Sequence, residues 1–120
     1  MSPLRILYVE DNADLRETVG MLIEGPGREV VLCASGEDAT RETARRHFDI
    51  VFTDVRLPGI SGLDLARQLL KDHPQQQVVL CSGEDLGPAV DALGPTVRWL
   101  TKPFGVEELD AVLDEVFPGS

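Results

Sequence analysis

Asp49-Ile50-Val51-Phe52-Thr53-Asp54-Val55-Arg56-Leu57-Pro58-Gly59 is an apolar run that ends in an acid and then has to turn. Ile, Val, Phe and Thr in succession favour a strand buried on both faces, and Pro-Gly favours a turn. Asp54 is therefore expected at a strand tip. Arg5-Ile6-Leu7-Tyr8-Val9 repeats the pattern and runs into Glu10-Asp11, and Val97 to Thr101 runs into Lys102-Pro103. Three strand tips thus carry three acids and one lysine. If the tips meet, they form a divalent-cation site with an ammonium beside it, which is the equipment for moving a phosphoryl group onto a carboxylate.

The length of 120 residues suits one domain, expected over residues 1–120. A count of 11 Lys+Arg against 21 Asp+Glu gives a net charge of -10. That balance disfavours nucleic acid and anionic membranes and favours basic or metal-bearing partners. Cys33 and Cys81 lie in apolar segments without metal or redox spacing, so they read as small core residues rather than a disulfide. No apolar stretch approaches the roughly 18 residues of a membrane span, and the start lacks a basic-then-apolar leader. A cytoplasmic location is expected.

Short Val/Ile/Leu-rich runs alternate with longer amphipathic ones, the pattern of a parallel sheet covered by helices on both faces. The expected strands are Arg5 to Val9, Glu29 to Cys33, Ile50 to Thr53, Val78 to Cys81 and Val97 to Leu100. Leu15, Val19, Leu22 and Ile23 share one face of a first helix, which Gly25-Pro26-Gly27 ends. A second helix opens at Ser35 with a capping-box pattern. A third runs from about Leu63 to Lys71, with His73-Pro74 closing it. The last, from about Val106 to Phe117, is expected to bury Leu109, Val112, Leu113 and Val116. Only Ala89 to Leu93 reads as a fourth helix, bracketed by Gly87-Pro88 and Gly94-Pro95, so this element is expected to be short or irregular. The ends, Met1-Ser2-Pro3 and Pro118-Gly119-Ser120, are expected to fray.

The expected fold is α/β, flavodoxin-like: a doubly wound five-stranded parallel sheet of order 2-1-3-4-5. Its first and third strands are neighbours, and ligands bind beyond the carboxyl ends where the winding reverses. Glu10, Asp11 and Asp54 converge there. Packed carboxylates repel, so a hard cation stabilises them. Mg²⁺ is the expected ion, with Mn²⁺ as the alternative. Asp11, Asp54, a backbone carbonyl at Arg56 and waters suffice as ligands, with Glu10 holding a water.

Glu10-Asp11, Asp54 followed by Pro58-Gly59, Ser82, and Lys102-Pro103-Phe104 together make the chain resemble a response-regulator receiver domain of two-component phosphorelays over essentially its whole length. Phe52 to Gly59, with Gly62-Leu63-Asp64-Leu65-Ala66 after it, looks most like receivers attached to hybrid sensor kinases. The resemblance implies that Asp54 accepts a phosphoryl group from a phosphohistidine on a sensor histidine kinase or histidine phosphotransfer protein, with Mg²⁺ bound by Glu10 and Asp11. It implies a supporting charge from Lys102, a hydroxyl from Ser82, a cis peptide before Pro103 and an aromatic switch three residues before the lysine, at Trp99. Tryptophan departs from the usual tyrosine or phenylalanine there. On this reading the protein is no enzyme beyond its own phosphorylation and dephosphorylation. It signals by altered binding to a downstream protein, as a monomer by default with a dimer as the alternative.

Plainer roles exist for each residue. Asp54 can cap a turn, Glu10-Asp11 can cap the first helix with Asn12, Ser82 can bond its local backbone, Lys102 can be a surface lysine, and Trp99 can be packed core or partner surface. Other functions for the whole chain are a phosphorylation-independent interaction module, a haloacid-dehalogenase-like phosphatase and a flavodoxin-like electron carrier. Arg56 stands where the phosphatase motif wants a second acid, and Glu10-Asp11-Asn12 would repel a flavin phosphate. Arg56 and Glu84, two residues beyond Asp54 and Ser82, are placed to orient or block an attacking water.

Overall fold

The apolar runs form five parallel strands, each separated from the next by a helix. The computed structural model describes residues 3–118, so the expected fraying of Met1-Ser2 and Gly119-Ser120 lies outside the described residues. The strands are β1 (Leu4–Val9), β2 (Arg28–Cys33), β3 (Ile50–Asp54), β4 (Gln77–Ser82) and β5 (Val97–Thr101). The helices are α1 (Ala13–Ile23), α2 (Gly36–Arg45), α3 (Gly62–Asp72), α4 (Gly87–Leu93) and α5 (Val106–Val116). The sheet order is β2-β1-β3-β4-β5, the flavodoxin-like winding that the alternating pattern predicts.

Alternation along the strands divides the core into two layers. Leu7, Val9, Val51, Val78, Leu80 and Val97 pack with Ala39, Leu65, Ala66 and Leu69 on the α2–α3 face. Ile6, Tyr8, Ile50, Phe52, Val79, Cys81 and Leu100 pack with Val19, Ile23, Leu109 and Leu113 on the α1–α5 face. Burying one such aliphatic or aromatic side chain contributes about 1.5–3 kcal/mol, so the two sheet faces dominate the stability.

Short polar side chains start three of the helices. Asn12 Oδ1 accepts from the Leu15 N–H at 3.0 Å, Ser35 Oγ from the Asp38 N–H at 3.1 Å, and Ser61 Oγ from the Asp64 N–H at 3.1 Å. The fourth helix is short, as expected, but it begins at Gly87 rather than at Ala89. Proline lacks only a donor that the first helical turn leaves unpaired, so Pro88 starts this helix instead of preceding it. Helical spacing overstates burial elsewhere: Leu15 stays 37% exposed, while Leu22, Val112 and Val116 are half-buried at the edges of the second layer.

Both cysteines are buried free thiols. Burial pushes Cys81 up to about 12 and Cys33 up to about 11, from an ordinary value near 9. Below about pH 9 the folded and unfolded chains both hold these protons. Above it the unfolded chain releases them while the fold retains them, so stability falls as pH rises toward the folded values. The urea midpoint should therefore decline between about pH 9 and about pH 11, and decline less in a Cys33→Ala/Cys81→Ala variant. A double variant with an unaltered slope would contradict this origin.

Candidate functional site

Strand register brings the acidic tips level. Val9 pairs with Thr53, Asp54 with Cys81 and Ser82 with Thr101, so Glu10, Asp54, Ser82 and Lys102 follow one another across the carboxyl edge of the sheet. Glu10 leaves β1 fully tied to its neighbour, its N–H donating to the Cys33 carbonyl at 3.0 Å. Its side chain is 2% exposed and that of Asp54 13%. Carboxylate oxygens of Glu10, Asp11 and Asp54 lie within 4.8 Å of one another. The Lys102 N–H donates to the Ser82 carbonyl at 2.8 Å, holding the end of β5 against the end of β4, and the Lys102-Pro103 peptide is cis.

Lys102 lies between two of the acids. Its ammonium donates to Glu10 Oε1 at 2.8 Å and sits 3.1 Å from Asp54 Oδ1. Burial works against the charged ammonium, but the hydrogen bonds and charges of Glu10 and Asp54 outweigh it and leave its pKa above the ordinary lysine value. The remaining oxygen of Glu10, Oε2, accepts from the Asn12 N–H at 3.2 Å. Glu10 thus contacts the lysine and the turn directly.

The donor set fits a hard divalent cation. Three carboxylates in one small cluster are all oxygen ligands, and a single ammonium neutralises only part of their charge. Among the described residues no soft or nitrogen ligand joins the cluster, which disfavours zinc or copper relative to Mg²⁺ or Mn²⁺.

Ser82 is buried beside these groups, and its Oγ accepts from the Glu84 N–H at 3.1 Å. That bond is the local one that any strand-end serine can make, and it leaves the hydroxyl proton free to be donated elsewhere. Arg56 and Glu84, read separately from the sequence, form an ion pair at 2.5 Å that joins the β3–α3 loop to the β4–α4 loop. Both side chains are mostly exposed, so the pair adds little stability.

Trp99 lies apart from the carboxylates. It pairs with Leu80 across β4 and β5, is half-buried, and its Nε1 is buried without a hydrogen-bond partner. Two residues of consequence have no role assigned from the sequence. Tyr8 is completely buried beneath the cluster with its hydroxyl unpaired, and burial, then the nearby Cys81, Glu10 and Asp54, push its phenol far upward. Gly62 begins α3 directly against the backbone of Asp54, its N–H donating to the Val55 carbonyl at 2.9 Å.

This edge, with its acidic cluster and the lysine bridging it, is the one around which a known class of signalling domain is built. The chain belongs to the response regulator receiver domain family, whose model matches residues 6–114. It is 34% identical over 121 residues to response regulator GacA of Pseudomonas viridiflava, covering 97% of this chain and 56% of that protein. It is 32% identical over 114 residues to the transcriptional activator protein PfeR of Pseudomonas aeruginosa, covering 92% of this chain and 36% of that protein. The chain thus spans between 36% and 56% of the length of these two curated relatives. Among solved structures, a response regulator receiver domain from Methylobacillus flagellatus superposes with a TM-score of 0.84 at 33% identity, covering 96% of this chain and 99% of that one. Among the described residues, no helix is long and apolar enough to cross a membrane.

Proposed function

We propose that residues 1–120 act as a single receiver in which Asp54 accepts a phosphoryl group from a phosphohistidine donor in a Mg²⁺-dependent reaction. The observation that carries this reading is the Lys102 ammonium held between Glu10 and Asp54 within a cluster of three carboxylates. Asp54 is the least committed of the two acids on that lysine: its carboxylate is 3.1 Å from the ammonium, while Glu10 takes the closer contact at 2.8 Å.

In the transfer an Asp54 carboxylate oxygen attacks phosphorus in line with the donor imidazole. The new O–P bond forms as the N–P bond breaks, and the electron pair leaves with the imidazole. Negative charge spreads over the equatorial phosphoryl oxygens, so positioned positive charge does most of the work. Glu10, Asp11, Asp54 and the Arg56 carbonyl would hold Mg²⁺, which supplies charge for these oxygens when bound. Lys102 swings its charge from Asp54 to the incoming group while keeping Glu10. The free Ser82 hydroxyl proton is donated to a phosphoryl oxygen, drawing the β4–α4 loop inward. Trp99, on the next strand, feels that movement. The downstream protein reads it on the surface formed by α4, β5 and α5.

On this reading the Arg56–Glu84 pair, two residues beyond Asp54 and Ser82, orients or blocks an attacking water and so sets how long the phosphoryl group survives. A sensor histidine kinase or histidine phosphotransfer protein is the donor on this reading, and the cytoplasm is where they meet. The net charge of -10 makes nucleic acid and membrane poor direct partners.

Intact mass after incubation with acetyl phosphate, with and without Mg²⁺, tests this. The wild-type protein should gain one phosphoryl group only with Mg²⁺, and Asp54→Asn should gain none. No gain under conditions that label an ordinary receiver would leave a phosphorylation-independent interaction module as the reading.

A further inference from the structure

One guanidinium nitrogen holds the backbone of both acids that follow β1. Arg16 Nη1 donates to the Glu10 carbonyl at 2.8 Å and to the Asp11 carbonyl at 3.4 Å. These carbonyls belong to the two peptide units on either side of the Asp11 Cα. Arg16 is itself fixed in α1, where its N–H donates to the Asn12 carbonyl at 2.8 Å.

The two acids differ in what aims them. The Glu10 carboxylate is gripped directly, by Lys102 at 2.8 Å and by the Asn12 N–H at 3.2 Å. The Asp11 carboxylate is exposed and has no hydrogen bond or ion pair among the described residues, yet one of its oxygens lies within 4.8 Å of those of Glu10 and Asp54. Its direction therefore depends on its backbone. Arg16 holds the peptide planes that set that backbone.

We infer that Arg16 is a positioning residue for the cation site, orienting Asp11 through the Glu10 and Asp11 carbonyls. This rests on the Mg²⁺ reading above. Arg16 touches neither the ion nor the phosphoryl group. Its charge also acts against its proposed role, because a cation close to a cation site repels the ion. Geometry and charge thus predict opposite signs. If Arg16 matters only as a charge, removing it tightens Mg²⁺ binding; if it positions Asp11, removing it weakens binding.

The test is a calorimetric Mg²⁺ titration of the wild type, Arg16→Met and Arg16→Lys, checked by the Mg²⁺-dependent rise in thermal midpoint. Arg16→Met should raise the Kd for Mg²⁺ about tenfold or more, the size of effect seen when a group that orients a metal ligand is lost. Arg16→Lys, whose ammonium can still donate to a carbonyl, should recover much of that loss. A folded Arg16→Met that binds Mg²⁺ as well as the wild type, or better, overturns the inference. Should Arg16→Met fail to fold in EDTA, Arg16→Ala, which likewise offers no donor, takes its place: weakened binding supports the inference and unweakened binding overturns it. A wild-type protein that binds no Mg²⁺ fails the metal reading itself, an outcome distinct from an unaffected variant.

Discussion

Lys102→Met should destabilise the metal-free protein by about 2–3 kcal/mol and slow labelling by acetyl phosphate about a hundredfold or more. The first effect comes from Glu10. Its side chain is 2% exposed, and Lys102 supplies its one ion pair among the described residues, at 2.8 Å. Methionine keeps the length of the side chain and removes the charge, so a buried carboxylate loses its partner while Asp54 and Asp11 still repel it. Stranding one member of a buried pair costs more than the pair contributes, because the desolvation of the remaining charge is no longer offset. Lys102 is 23% exposed, so water moderates the loss and the full value for a dry interior does not apply.

On the proposed mechanism the rate effect has a separate origin, the loss of one of the two cations facing the transferring oxygens. Saturating Mg²⁺ should reverse much of the stability loss, since the ion now neutralises the acids alone, but little of the rate loss. Urea unfolding in EDTA and in Mg²⁺, together with a labelling time course by mass, separates the two. A variant that unfolds at the wild-type urea concentration and labels at the wild-type rate would refute the role given to this lysine.

Which parts of this arrangement could be read from the chain follows from how local each cause is. Apolar runs such as Ile50 to Thr53 announce strands because a parallel strand is buried on both faces. The acids after Val9, Asp54 at the end of its strand, and the lysine after Thr101 then fall at one edge by topology alone. What depends on side-chain reach between elements does not show. Nothing in the spacing of Arg56 and Glu84, 28 residues apart, marks them as partners, nor does any pattern mark Arg16 as the holder of two carbonyls. Leu15 shows a related limit. Helical periodicity puts it on the same face as Val19, but periodicity does not say how far along the helix that face is covered, and Leu15 remains 37% exposed. Helix α4 was legible as weak because Gly and Pro act locally. Its first residue was not, because proline permits a helix to begin as readily as it forbids one to continue.

Gly62 is the position where the fold and the site are least separable, and Gly62→Ala should be among the most damaging single-methyl changes in the protein. A Cβ there would lie 2.2 Å from the Asp54 carbonyl oxygen and 2.9 Å from the Asp54 carbonyl carbon and the Val55 Cα. All three are backbone atoms, so no side chain can swing away to make room. Intrinsic helix propensity pushes the other way, favouring alanine over glycine by up to about 1 kcal/mol. Overpacking against immobile atoms costs about 1–3 kcal/mol, occasionally more, and the severity of this overlap puts the expected net loss near 2 kcal/mol. Relief requires α3 to back away or the end of β3 to shift, and the shifting residue carries the Asp54 carboxylate. Mg²⁺ affinity should therefore fall together with stability. Gly36→Ala is the fitting comparison. Its Cβ would meet the Ile60 side chain at 2.4 and 2.8 Å, the closest part of an overlap that a rotamer change can ease, with the Ile60 carbonyl oxygen farther off at 3.2 Å, and Ile60 is no part of the acidic cluster. Thermal unfolding and Mg²⁺ titration of both variants should rank Gly62→Ala as the worse in each. A Gly62→Ala protein that equals or exceeds the wild type in both would mean that helix and strand tip can separate freely, and that the close backbone contact does not set the position of Asp54.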